Sequence, residues 1–215
     1  MSESKKAIEI IKILRTTYPE APKTYLNFQS PFEMLIVTIL SARATDAGVN
    51  KISPILFGKY PTPEKLAKAN LDEVGQIIRP LGAFNKKTGY ITETSRLLVD
   101  KFGSAVPRGM EELISFPGVS RKTANVVLSV VFGVSEGIVV DTHVMRVTIR
   151  LGLSNHDKKP EKIEKDLMDL IPREMWNDYA RLIGTHGRQT CKSRNPNCIE
   201  CSLNKICPSA ELDEK

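Results

Sequence analysis

Apolar residues recur at helical spacing along almost the whole chain, and helix-start and helix-stop residues punctuate the runs. Ile8, Ile11 and Leu14 predict a first helix over residues 4–17. Ser30-Pro31-Phe32-Glu33 reads as a capping box with proline at the first helical position, opening a helix through Leu40. Another helix begins near Thr45-Asp46 and runs to about Phe57, where Gly58, Pro61 and Pro63 stop it. Thr62 before Pro63, and Asn70 before Leu71-Asp72-Glu73, are further start signals. The break Leu81-Gly82-Ala83-Phe84-Asn85 leads into a long helix ending at Gly103. A short helix near 109–115 meets the turn Phe116-Pro117-Gly118, and the next helix spans Arg121 to about Phe132. Ile138-Val139-Val140 is strand-like but too short to build a sheet. Helices follow from Thr142 to Leu151 and near 160–170 and 173–184, before an irregular loop that carries every cysteine. The pattern predicts an all-α protein.

The chain has 215 residues, enough for one large domain or two modest ones with a substantial core. Hydrophobic residues make up 41 %, and no apolar tract has the length of a membrane span. The N-terminal MSESKKAIEI lacks the apolar core of a signal peptide, so a cytoplasmic protein is expected. A formal charge of +6 favours an acidic partner such as nucleic acid, a statement about association rather than fold.

Chemistry concentrates between Phe116 and His143. A glycine turn between two helices can aim consecutive backbone N–H groups outward and, with a helix N-terminus, receive one phosphate. In Phe116-Pro117-Gly118-Val119-Ser120, Gly118 permits positive φ, Pro117 fixes the entry and Val119 can pack back between the helices. The ordinary alternative is a plain helix connector. Lys122 stands in the first turn of the following helix beside Arg121, where the helix dipole already places positive charge. Both effects favour the neutral amine that a nucleophilic lysine needs; a solvated lysine gripping phosphate is the alternative. Asp141 follows three apolar residues and precedes a helix, the place of an N-cap. A carboxylate there can also stabilise a developing positive charge.

All four cysteines fall between Cys191 and Cys207, spaced Cys191-x6-Cys198-x2-Cys201-x5-Cys207. Scattered disulfides would not cluster in this way, and the spacing points to one tetrathiolate site for zinc or an iron–sulfur cluster. His186, Arg188, Lys192 and Arg194 around the first cysteine suggest a phosphate-contacting surface.

Four segments together resemble the endonuclease III family of DNA glycosylases with AP-lyase activity: LSARATDAGVNK (40–51), FPGVSRKTANVVLS (116–129), VVDTHVMR (139–146) and HGRQTC with the three cysteines after it (186–207). The resemblance covers essentially the whole chain. It implies a six-helix barrel domain over about 25–135, with a helix-hairpin-helix at about 110–133. A helical iron–sulfur domain would be built from 1–24 and 136–215. It further implies a [4Fe–4S] cluster on the four cysteines, Lys122 as Schiff-base nucleophile and Asp141 as the essential carboxylate. The implied partner is double-stranded DNA with a damaged base or abasic site, met by a monomer in the cytoplasm. Gly118, Ser120, Arg121, Arg43, Arg188, Lys192 and Arg194 become expected DNA contacts, and Ser41, Asp46 and His143 expected pocket residues.

The chain departs from that family's pattern at three positions. Ser120 replaces a second hairpin glycine, Arg43 stands where glutamine is expected, and Ala83 stands where a larger apolar wedge is common. A methyl group cannot prop open a base step, which shifts gap filling toward Arg43 or Phe84. The bland alternatives are that Ser41 ends a helix, Asp46 caps the next and His143 is an interior histidine. Trp176 reads as core, and His156 and Glu211-Leu212-Asp213-Glu214 as solvated surface. The resemblance implies excision of oxidised pyrimidines such as thymine glycol. Uracil or mismatched thymine as the target, a non-catalytic DNA-binding module, and an electron carrier are the competing readings.

Overall fold

The computed structural model describes residues 2–210, and the acidic stretch 211–214 lies outside them. In chain order the helices are α1 (Glu3–Thr17), α2 (Pro31–Leu40), α3 (Asp46–Lys59), α4 (Pro63–Ala67), α5 (Leu71–Ile78), α6 (Phe84–Phe102), α7 (Met110–Ile114), α8 (Arg121–Val127), α9 (Thr142–Arg150), α10 (Pro160–Leu170) and α11 (Trp176–Gln189). Among the described residues there is no strand, and the all-α class holds. Ile138 and Val140 are buried, in a stretch that forms neither helix nor strand. The chain divides into two compact units, Thr24–Val134 and the combination of Met1–Lys23 with Ser135–Lys215.

The 24–134 unit is organised on α2, which is apolar on every side: Phe32, Met34, Leu35, Ile36, Val37, Ile39 and Leu40 are all buried. Such a helix is stable only when surrounded, and α3, α6 and α8 pack around it. Its start is doubly capped. Ser30 Oγ accepts the Glu33 N–H at 3.1 Å, while the Glu33 carboxylate accepts the Gln29 N–H at 2.7 Å. Thr62 and Asn70 cap α4 and α5 as their sequence positions suggest. The cap of α3 is Thr45, whose hydroxyl accepts the Gly48 N–H at 3.1 Å, so Asp46 is the first residue of the helix and not its cap. The helix expected from Arg121 to Phe132 is α-helical only to Val127 and continues as a π turn over Leu128–Phe132.

The other unit joins α1 to the C-terminal helices through Ile10, Ile11, Leu14, Val144, Val147, Ile163, Leu167, Leu182 and Ile183. Tyr179 is fully buried with its hydroxyl 2.8 Å from that of Thr148, and Trp176 donates its indole N–H to the Ile171 carbonyl at 2.8 Å. The helix expected over 173–184 is different at both ends. Arg173–Met175 is a 3₁₀ turn, and α11 runs on to Gln189. Gly184 and Gly187 are both buried where α9 packs on α11. A Cβ at Gly187 would lie 3.0 Å from His143 Cβ and 3.2 Å from Val147 Cγ2. Close approach of two helices is what the glycine supplies, and tertiary packing overrides its low helix propensity.

A second tie in this unit is the Asp178 carboxylate, which accepts from Arg15 Nε at 2.9 Å and from Arg181 Nε at 2.8 Å. Burial pushes the carboxyl up, but hydrogen bonds and charge from Arg15 and Arg181 outweigh this and hold it below the ordinary 3.8. Its folded pKa is depressed, so its stabilisation is fully present above the unfolded pKa and is lost as pH falls through the folded one. Asp178→Asn is expected to lower stability by about 1–3 kcal/mol at neutral pH. Chemical denaturation below the carboxylate range should show the difference from the parent protein shrinking.

Candidate active site and cysteine centre

The hairpin lies in the 24–134 unit between α7 and α8. Phe116 and Val119 are buried, and the Val119 N–H donates to the Phe116 carbonyl at 3.1 Å, closing a four-residue turn. Pro117 takes its second position and Gly118 its third with φ +78°, the type II arrangement that favours glycine there. The turn rests on Tyr90 from α6: a Cβ on Gly118 would fall 2.5 Å from the Tyr90 ring. Sequence reasoning missed Tyr90, whose separation from the hairpin leaves no local pattern.

Ser120 is not strained. Its φ is −83°, and it serves as N-cap of α8, its Oγ accepting the Thr123 N–H at 3.2 Å. A serine in place of a second glycine therefore supplies a helix cap. Lys122 follows in the first turn of α8 and is exposed, as is Arg121.

Two loops of the same unit carry other expected DNA contacts. Arg43 is exposed with φ +54°, and Ala83 precedes α6 with φ +47°, both left-handed conformations that non-glycine residues rarely adopt. The neighbouring Lys87 is buried and donates to the Leu81 carbonyl at 2.9 Å. Burial pushes its amine down from the ordinary lysine range. Phe84 is partly buried against the core, with the Arg79 guanidinium 5.9 Å from its ring centre. Ser41 ends α2 and donates its hydroxyl to the Thr38 carbonyl at 2.8 Å, while Asp46 is half-buried.

In the unit formed by the two ends of the chain, Asp141 is the N-cap of α9. Its Oδ1 accepts the N–H groups of His143 and Val144, each at 2.8 Å. Its Oδ2 lies 3.5 Å from Arg188 Nη2 on α11. His143 is half-buried with Nδ1 3.3 Å from Arg146 Nη2.

The four cysteines line one cavity together with Val147, Leu151, Leu203 and Ala210. Among the described residues no group of three or more His, Cys, Asp or Glu side chains is arranged to hold a metal ion. Two arginines from α9 shape the loop. Arg150 donates to Cys191 Sγ at 3.2 Å and to the Lys192 carbonyl at 2.7 Å. Arg146 donates to the carbonyls of Gly187 at 2.8 Å and Cys191 at 3.0 Å. The Leu203 N–H donates to Cys201 Sγ at 3.4 Å. Burial pushes the Cys201 thiol up from its ordinary range, and the Leu203 N–H offsets only part of that.

Lys192 and Arg194 are exposed on this loop, but His186 is not one of its surface cations. The ring is buried inside α11, with Nδ1 2.9 Å from the Tyr18 hydroxyl, and burial pushes its pKa down to about 4. Tyr18 also reaches Thr190 Oγ1 at 2.7 Å. His186 therefore acts as a neutral anchor between the end of α1 and the entrance of the cysteine loop.

The profile of the HhH-GPD superfamily of base excision DNA repair proteins matches residues 36–173. The chain is 45 % identical over 210 residues to an endonuclease III of Synechocystis sp., covering 98 % of this chain and 95 % of the relative. It is 41 % identical over 209 residues to an endonuclease III of Haemophilus influenzae, covering 97 % and 98 %. Among solved structures it is similar to a trapped endonuclease III–DNA covalent intermediate in an estranged-adenine complex. There the TM-score is 0.90 at 40 % identity, with 98 % of each chain covered. Near-complete coverage at this identity, on a helical fold with a glycine hairpin, makes the chain a member of the endonuclease III family within the HhH-GPD superfamily.

Proposed function

We propose that this protein is a base-excision-repair DNA glycosylase with AP-lyase activity, removing oxidised pyrimidines such as thymine glycol from duplex DNA. The observation that carries the reading is Lys122, exposed in the first turn of a capped helix directly after a type II glycine hairpin. The full-length similarity to a protein captured as a covalent DNA intermediate supports it.

In this reading the hairpin N–H groups and Arg121 grip a backbone phosphate, and Lys192 and Arg194 extend the contact as sequence-independent cations. The damaged nucleotide is flipped out of the duplex. Arg43, exposed in its left-handed turn, is the candidate to fill the vacated space. As the N-glycosidic bond breaks, the base leaves with the bonding pair and Asp141 stabilises the cationic sugar. The Lys122 amine attacks C1′ and loses a proton; the C1′–O4′ bond then breaks, O4′ taking up a proton as the sugar ring opens, which leaves the protonated imine. Removal of a C2′ proton then expels the 3′ phosphate by β-elimination, and water releases the lysine. Ser41, Asp46 and His143 are proposed to line the pocket for the flipped base. The protein acts as a monomer on the chromosome in the cytoplasm, and among the described residues no helix is long and apolar enough to cross a membrane.

The cysteine cavity suits a [4Fe–4S] cluster held by Cys191, Cys198, Cys201 and Cys207. A zinc ion bonded at about 2.3 Å to four sulfurs would draw them into contact with one another. Four thiols that line one cavity without being gathered around a single ion, with N–H donors to two of them, support a larger polynuclear group instead. When bound, the cluster pins the 191–207 loop, and with it the position of Lys192 and Arg194.

Borohydride trapping on a panel of duplexes tests the activity. A covalent adduct on thymine-glycol and abasic duplexes is expected; no adduct on either would overturn the lyase reading. A panel dominated by uracil or mismatched thymine would keep the enzyme class and replace the substrate. Anaerobically purified protein should show the broad visible absorption of an iron–sulfur cluster, and Cys198→Ser should weaken it. Stoichiometric zinc without iron would refute the cluster assignment.

A further inference from the structure

Arg188 was expected from its position before the cysteines to contact DNA phosphate, but the structure turns it toward Asp141. The two oxygens of Asp141 are in different situations. Oδ1 is committed to the N-terminus of α9 through two N–H groups at 2.8 Å, while Oδ2 faces the Arg188 guanidinium at 3.5 Å. Both side chains are about one-quarter exposed, at 27 %. Arg188 is itself held, since Nη1 donates to the Gly184 carbonyl at 3.2 Å. A Cβ at Gly184 would stand 3.3 Å from that same nitrogen. Gly187 lets α9 and α11 close on each other one residue before Arg188, so the separation between the arginine and the carboxylate is set by two packed helices rather than by a loop.

We infer that Arg188 is a positioning residue for Asp141, fixing the orientation of Oδ2, and that it is not principally a phosphate contact. The inference rests on the proposed catalytic role of Asp141. An N-cap alone restrains one oxygen and leaves the carboxylate free to rock about the bond to its ring of donors. A guanidinium on the opposite side removes that freedom. At 3.5 Å it is outside the short bidentate grip that would occupy both lone pairs of the oxygen. The carboxylate therefore keeps a face for a developing cation, which is the requirement for a preorganised electrostatic stabiliser. Arg146 is the other cation that senses Asp141, but its hydrogen bonds go to loop carbonyls and to His143.

The test compares Arg188→Gln and Arg188→Lys with the parent protein on two duplexes, one carrying thymine glycol and one carrying an uncleavable abasic analogue. Positioning predicts that saturating single-turnover base release falls about 10-fold or more in Arg188→Gln, a small misplacement having a large effect on rate. Arg188→Lys should recover part of the loss. Affinity for the uncleavable duplex should stay within about 2-fold, with the salt dependence unchanged. In an Asp141→Asn background, Arg188→Gln should cause no further slowing, because residues acting as a unit are not additive. The inference is overturned if affinity weakens and the salt slope drops by about one unit while the saturating rate is kept. Equal slowing in both backgrounds also overturns it. Thermal melting of each variant identifies loss by unfolding, in which case Arg188→Lys carries the comparison. Should Asp141→Asn retain full activity, the proposed role of Asp141 fails, separately from the inference about Arg188.

Discussion

Lys122→Gln is expected to reduce borohydride-trapped adduct below detection and strand cleavage by about 10³-fold or more. Glutamine keeps the length and polarity of the side chain but has no amine to form an imine. The substitution is informative because Lys122 is exposed and is not the cap of its helix, a role filled by Ser120. Stability should change by no more than about 0.5 kcal/mol, as for other surface positions. Duplex binding should be largely kept, since the other proposed phosphate contacts remain. Measuring adduct, cleavage and melting on one preparation separates chemistry from folding. An adduct at the parent level would move the nucleophile to another amine.

The second large effect is expected at Asp141. Asp141→Asn should slow saturating single-turnover release of the damaged base by about 10²–10³-fold, the usual result of removing one preorganised electrostatic group. Asparagine is as good an N-cap as aspartate, so its Oδ1 can still accept from His143 and Val144. What is lost is the charge on the oxygen that faces Arg188, a partly exposed pair worth about 1 kcal/mol or less to stability. On a duplex with a preformed abasic site the slowing should be smaller, because the glycosidic bond is already broken. Equal slowing on both substrates would mean that Asp141 serves the lysine more than the departing base. No slowing on either would reduce Asp141 to a cap.

How far the sequence reveals this arrangement depends on whether a feature is local. The starts of α2, α4 and α5 are legible because Ser30, Thr62 and Asn70 make their capping bonds within three residues. The hairpin is legible for the same reason, with Pro117 and Gly118 in the positions that a type II turn selects. The end of α11 is not. Expected near residue 184, it falls at Gln189, because Gly184 and Gly187 sit inside the helix with α9 packed against them. The partners of Arg146 and Arg150 include main-chain groups of a loop some 40 residues further on, which no local pattern reveals. His186 misled in the opposite way: its neighbours in sequence are cationic, but its ring is buried between the Tyr18 hydroxyl and Cys201 Sγ. The strain at Arg43 and Ala83 is likewise invisible, since neither residue type signals a left-handed backbone.

The unit made from both ends of the chain has a consequence for the order of events during synthesis. Helix α1 carries Ala7, Ile10, Ile11 and Leu14, all completely buried in the finished protein against residues that lie beyond Ser135. The intervening unit, Thr24–Val134, has its own core. At about 5–20 residues per second, the ribosome spends several seconds making that stretch. The apolar stripe of α1 therefore waits, uncovered, while the middle of the chain folds, and is claimed only when α9, α10 and α11 emerge. A nascent chain stalled once residue 134 has cleared the ribosomal exit tunnel, and before α9–α11 have emerged, should hold a protease-resistant 24–134 unit and an α1 that a chaperone or protease can still reach.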